Sequence, residues 1–174
     1  MSNTLVDHSL TPHYARLMIF DKIKDFSELL PERGRLLGLD LGTKTIGLSL
    51  TDANRKIATP MHTIQRLRFS KVANDLKVII DEQSVVGIVL GFPINMNGSE
   101  GPRCQATRDF ARNILDQLTL PILLCDERLS TVVATNALLD ADLSRQKRAK
   151  HVDKIAASVI LQTALDTSKS AGSQ

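Results

Sequence analysis

Apolar positions in this chain follow two alternating rhythms. Leu36–Leu41, Val85–Leu90 and Pro121–Cys125 are short runs apolar on nearly every residue, the pattern of strands covered on both faces. Between and after them, apolar residues recur every three or four positions, as in helices with one buried stripe. Phe69, Val72, Leu76 and Ile79 predict a helix over about 70–82. Phe110, Ile114 and Leu118 predict another over 102–118, with Pro102 in its first turn. Val152, Ile155, Val159 and Thr163, with Ala156 and Ile160 beside them, predict a last helix over 152–165. Further helices are expected over 131–141 and over 15–30, where Ile19, Phe20, Ile23, Phe26 and Leu30 form a stripe ahead of Pro31.

Two more strands complete the pattern. Thr45–Thr51 folds back on the first run across the Gly42-Thr43-Lys44 turn, and residues 56–65 follow the turn signal Asp52-Ala53-Asn54. Pro60 places that third strand at an edge or a break. The order is three strands, helix, strand, helix, strand, then helices. It predicts an α/β domain with a mixed five-stranded sheet: an antiparallel meander of strands 1–3, then parallel strands 4 and 5, flanked by helices. Residues 1–33 read as an N-terminal extension, 34–166 as the domain and 167–174 as a disordered tail; the polar stretch 1–14 is expected to be mobile.

Composition narrows the choice of chemistry. With 174 residues, 43% hydrophobic and 24% charged, the chain is an ordinary globular domain with one core. Five Phe, one Tyr and no Trp argue against a base-stacking platform for single strands. A net charge of +3 permits a polyanionic partner without requiring one. Cys104 and Cys125 stand alone, so neither a zinc site nor a redox motif is indicated. No apolar run is long enough for a membrane span and the N-terminus lacks a signal-peptide pattern, so the cytoplasm is expected.

Asp40 sits inside the first apolar run, where an ionised carboxylate needs donors or a cation nearby. It reads either as a turn cap or partner of Lys44, or as a metal- or phosphate-binding acid. After the fourth strand, Gly91-Phe92-Pro93 leads into Asn97-Gly98-Ser99 and the 102–118 helix. That helix start reads equally as a capped loop or as a phosphate site. Asp126 and Glu127 end the fifth strand on opposite faces, so only one of them should enter a shared site. Asp153 opens the last helix, where a carboxylate favours the helix dipole whatever else it does. If the first strand is central, Asp40, Glu127 and Asp153 converge at the sheet's carboxyl end. Such an oxygen-rich set suits Mg²⁺ or Mn²⁺. Two such ions about 4 Å apart activate water and stabilise the leaving oxygen in phosphodiester hydrolysis.

Four stretches, GLDLGTKTIGLSLTD, GFPINMNGSEG followed by RDFA, LLCDERLST and KHVDKIAASVILQ, resemble the YqgF/RuvX family in its own order, from about Gly34 to Leu165. Its members are bacterial proteins regarded as pre-16S rRNA nucleases and relatives of Holliday-junction resolvases. The resemblance implies a ribonuclease H-like fold and a metal-dependent hydrolase, with Asp40, Glu127 and Asp153 as catalytic acids and ligands of two Mg²⁺ or Mn²⁺ ions. In related resolvases the second acid ends the fourth strand; here Gly91-Phe92-Pro93 stands there, and Glu127 takes the role from the next strand. The implied partner is nucleic acid, pre-rRNA before branched DNA, cut to leave a 5′-phosphate by a monomer or homodimer. Lys44, Arg128 and the basic run Ser144–Lys150 (Arg145, Lys147, Arg148, Lys150) are its candidate phosphate contacts. The same run reads otherwise as a flexible, solvated connection. His151 reads as incidental or as a proton-transfer aid.

Two readings compete. Asp40-Leu-Gly-Thr-Lys44 is similar to the phosphate loop of sugar-kinase and actin-like ATPases, which need a second such domain. The fold could also serve as a non-catalytic binding module in ribosome assembly or transcription. A four-way DNA junction would demand two sites in a symmetric dimer, whereas a monomer would favour RNA.

Overall fold

The computed structural model describes residues 18–129 and 145–171. The expected mobile stretch 1–14, the helix over 131–141 and the last three residues of the tail lie outside the described residues.

The run around Asp40 forms β2 (Arg35–Leu41), at the heart of a six-stranded sheet. On one side it pairs antiparallel with β3 (Thr45–Thr51), which pairs antiparallel with the edge strand β4 (Ala58–Gln65). Pro60 therefore lies on an edge, as its missing N–H requires, and it sits where the register with β3 shifts. On its other side β2 pairs parallel with β5 (Val85–Phe92), and β5 with β6 (Ile122–Asp126).

The sheet is covered on both faces, which accounts for runs apolar on consecutive residues. Leu37, Leu39, Ile88, Leu90 and Ile122 face α2 (Phe69–Gln83) and α3 (Pro102–Leu115), meeting Leu76 and Ile114 in the larger core. Leu36, Val89, Leu123 and Cys125 point the other way. They meet Phe26 of α1 (Ile23–Glu28) and Ile160, Leu161 and Leu165 of α4 (Arg145–Ala171).

Three expectations need correction. The helix foreseen over 15–30 is instead a two-residue strand, β1 (Ile19–Phe20), followed by the six-residue α1. β6 would otherwise expose an edge, and its unpaired groups draw in β1: Ile19 and Phe20 pair parallel with Ile122 and Leu123, and Ile122 N donates to Met18 O at 2.8 Å. The sheet thus has six strands rather than five. The basic run 145–150 is not a loose connection but the first turns of α4. Arg, Gln, Lys and Ala are good helix formers, and no Gly or Pro interrupts them. Residues 167–171 of the expected disordered tail continue the same helix. There Thr167 and Ser170 return their hydroxyl hydrogens to the carbonyls of Thr163 and Asp166.

Candidate active site

Side-chain alternation decides which acids share a face. In β2, Leu37, Leu39 and Leu41 enter the larger core, so Asp40 points with Leu36 toward α4. In β6, Leu123 and Cys125 face α4, and Glu127 follows them in a single 3-10 turn (Glu127–Leu129). Asp126 turns away and is held by Arg128, whose Nε and Nη2 reach its Oδ2 at 3.0 and 2.6 Å. The Arg128 guanidinium keeps the Asp126 carboxyl below the usual range.

β5 runs between β2 and β6, so Glu127 must reach Asp40 across it. The residue in the way is Gly91, paired with Cys125. A methyl group there would lie 2.6 Å from Glu127 Oε1 and 2.7 Å from Ile160 Cδ1. The absence of a side chain at Gly91 is the gap that Glu127 fills.

Asp153 arrives from the opposite direction on α4. Gly47 pairs with Asp40 across the β2–β3 ladder. A Cβ on Gly47 would collide with the backbone carbonyl of Asp153, so the helix rests directly on the strand. Ser49 Oγ, one pleat along, donates to Ala157 O at 2.8 Å and fixes the helix further. Thr45 Oγ1 donates to Asp153 Oδ2, which orients that carboxylate.

Asp40 is thus the hub, with Glu127 on one flank and Asp153 on the other. Burial first, then the charge of Glu127 and of Asp153, pushes its pKa up to about 7, while Arg103 opposes the rise. Burial also raises the Glu127 pKa, again against Arg103. Carboxylates that repel one another in a partly desolvated pocket are a donor set deficient in positive charge, and a hard divalent cation corrects that. The residues fit such an ion. Among the described residues no three His, Cys, Asp or Glu side chains close on a single point. The Cys125 thiol, pushed up to about 12 by burial and by Asp126 and Glu127, is no nucleophile.

Other expected contacts are less tightly placed. Lys44 is exposed on the β2–β3 turn, and its carbonyl accepts from Arg66 N at 2.8 Å. Arg128 borders the cleft beside Glu127 but is engaged with Asp126. The backbones of Arg145, Lys147, Arg148, Lys150 and His151 lie in α4; their side chains lie outside what is described. In the loop before α3, Asn95, Asn97 and Ser99 bond to one another and leave the helix start without a side-chain cap.

The family model of RuvX, described as Holliday junction resolvase, matches residues 34–167. The chain belongs to the RuvX family. Over 149 residues it is 56% identical to the "Putative pre-16S rRNA nuclease" of Cereibacter sphaeroides (strain KD131 / KCTC 12085), covering 86% of this chain and 93% of that protein. The identically named proteins of Rhodobacter capsulatus and Ruegeria pomeroyi are 55% and 50% identical, each over 86% of this chain and over 94% and 97% of their own lengths. Among solved structures, T. thermophilus RuvC in complex with Holliday junction substrate superposes with a TM-score of 0.52. It covers 79% of this chain and 96% of RuvC at 11% identity, a likeness of fold. The fold is therefore the ribonuclease H-like one, and RuvX is a family of phosphodiester-cleaving hydrolases. No described helix is long and apolar enough to cross a membrane.

Two cations near the RuvX acids had no signal in the sequence. Arg103 opposes the pKa rise of both Asp40 and Glu127, and Arg66 lines a small cavity with Arg103 and Glu127. A lone Arg in an exposed stretch looks like any solvated residue until the fold turns it toward the carboxylates.

Proposed function

We propose that this RuvX protein is a metal-dependent endonuclease that hydrolyses RNA phosphodiesters and trims the 5′ end of pre-16S rRNA in the cytoplasm. The observation that carries the reading is Asp40 on the central strand, flanked by Glu127 through the gap at Gly91 and by Asp153 through the contact at Gly47. The names of the curated relatives support the substrate.

Asp40, Glu127 and Asp153 would hold one or two Mg²⁺ or Mn²⁺ ions. When bound there, the metal supplies activation of a water and stabilisation of the leaving oxygen. The protein's own part is positional. Thr45 fixes the Asp153 carboxylate, and Arg128 keeps Asp126 out of the ligand set. Lys44, Arg128 and the basic residues at the start of α4 would contact backbone phosphates. No protein side chain acts as nucleophile, and the product retains a 5′-phosphate.

The deciding experiment compares wild type with Asp40→Asn on a 16S precursor bearing its 5′ leader and on a four-way DNA junction, in Mn²⁺, Mg²⁺ or EDTA. RNA cleavage that needs metal and falls at least a hundredfold in the variant is expected. Preferred cutting of the junction would move the substrate to branched DNA. Undiminished cutting by Asp40→Asn would discard this site, and no cutting by wild type under any condition would favour a binding role.

A further inference from the structure

Five arginines, three on α3 and one after each of β4 and β6, divide into two groups. Arg108, Arg112 and Arg128 are already paired: Arg108 with Glu100 and Asp21, Arg112 with Asp109, Arg128 with Asp126. Arg108 also stacks over Phe92, 4.6 Å from the ring centroid. Their charge is spent on holding loops and helices.

Arg66 and Arg103 are different. Arg103 is exposed in the first turn of α3; its carbonyl accepts from Thr107 Oγ1, but its guanidinium makes no hydrogen bond or ion pair with another described residue, although it lies within electrostatic reach of Asp40 and Glu127. Arg66, exposed just beyond β4, is tethered by one donor, Nη1 to Gly42 O at 2.7 Å. A guanidinium has five donors, so four remain. The two line one cavity of about 50 Å³ with Leu41, Gly91, Thr107 and Glu127. A small anionic group such as a phosphate fits between the two guanidiniums there. Beyond Arg103 and Glu127 the surface opens into a cleft of about 470 Å³ walled by Pro93, Ile94, Met96 and Pro102. That larger space suits the sugar and base attached to the phosphate.

We infer that Arg66 and Arg103 form a two-armed cradle for one phosphate of the bound nucleic-acid strand, seated against Glu127, with the adjoining nucleotide along Pro93–Met96. The inference rests on the nuclease reading above and adds the two residues that seat the strand. Planar guanidinium forks suit a phosphate where a lysine supplies only a point charge.

The test is fluorescence anisotropy with a short fluorescein-labelled single-stranded RNA, in EDTA so that nothing is cut. Arg66→Gln and Arg103→Gln are each expected to weaken binding roughly tenfold at low salt, as for loss of a charged hydrogen bond. The double variant should lose less than the product of the two, because both arms hold the same phosphate. Arg103→Lys should recover only part of the affinity, Arg112→Gln should match wild type, and unfolding midpoints should not move. Wild-type affinity in Arg66→Gln or Arg103→Gln, or losses that multiply, would overturn the cradle while leaving the nuclease in place. A wild-type protein that neither binds nor cuts RNA or junction DNA would overturn the nuclease reading and this inference with it.

Discussion

The two faces of the sheet are built on opposite principles. Toward α2 and α3 the strands present large side chains, Leu37, Leu39, Ile46, Leu48, Ile88 and Leu90, and that face is an apolar core. Toward α4 the same strands present Gly38, Gly47, Ser49 and Gly91 around Asp40, so the helix comes down almost onto the backbone. One face derives stability from volume. The other gives up volume so that a carboxylate on a helix and another beyond a neighbouring strand can reach one on the central strand. The lesson is that the absent side chains position the acids as much as the present ones do.

Substitutions that exchange the two principles should show the contrast. On the core face, Leu39→Ala empties space around a fully buried side chain. It should cost about 2–5 kcal/mol in urea unfolding while the folded fraction keeps its cleavage rate. On the other face, Gly47→Ala adds one methyl group against the backbone of Asp153, which has no rotamer to escape into. A smaller stability loss, roughly 1–3 kcal/mol, should accompany a nearly complete loss of Mn²⁺-dependent cleavage, since Asp153 moves with the helix. Cleavage at the wild-type rate in Gly47→Ala would show that the helix's close approach is not needed for chemistry.

The smallest effect is one of pH. Because the folded pKa of Asp40 is raised from 3.8 to about 7, the folded protein binds a proton that the unfolded chain has released. Metal-free stability should therefore fall as pH rises from about 4 to about 7; the full shift corresponds to about 4 kcal/mol, which solvent screening of this half-buried carboxylate reduces to on the order of 1–2 kcal/mol. Asp40→Asn should flatten that slope to the part contributed by Glu127, and Mn²⁺ should restore wild-type stability at pH 8. Urea titrations at pH 5 and pH 8, with and without EDTA, measure all three; a wild-type slope of opposite sign would contradict the buried, crowded carboxylate.

Much of this arrangement was legible in the residues. Runs apolar on consecutive positions announced a doubly covered sheet, and alternation correctly separated Glu127 from Asp126. The bridge between Asp40 and Glu127 was not legible, because it depends on β5 lying between them and on Gly91 having nothing to interpose. The N-terminal segment misled for a related reason. Ile19 and Phe20 fit a helical stripe, but the open edge of β6 was the stronger partner, and a pairing across about a hundred residues leaves no local mark. Arg66 and Arg103 were missed because an exposed arginine acquires meaning only from what the fold sets before it.

The borders of the sheet carry a consequence for self-association. One border is β1, two residues long, and the other is β4, interrupted by Pro60 at a shift in register. Its first residue already donates its backbone N–H to Gln162 on α4, at 2.9 Å. Among the described residues neither border offers a long, regular ladder on which a second copy could continue the sheet. Two copies brought together on a branched substrate would therefore be expected to meet through helices or loops rather than by joining their sheets edge to edge.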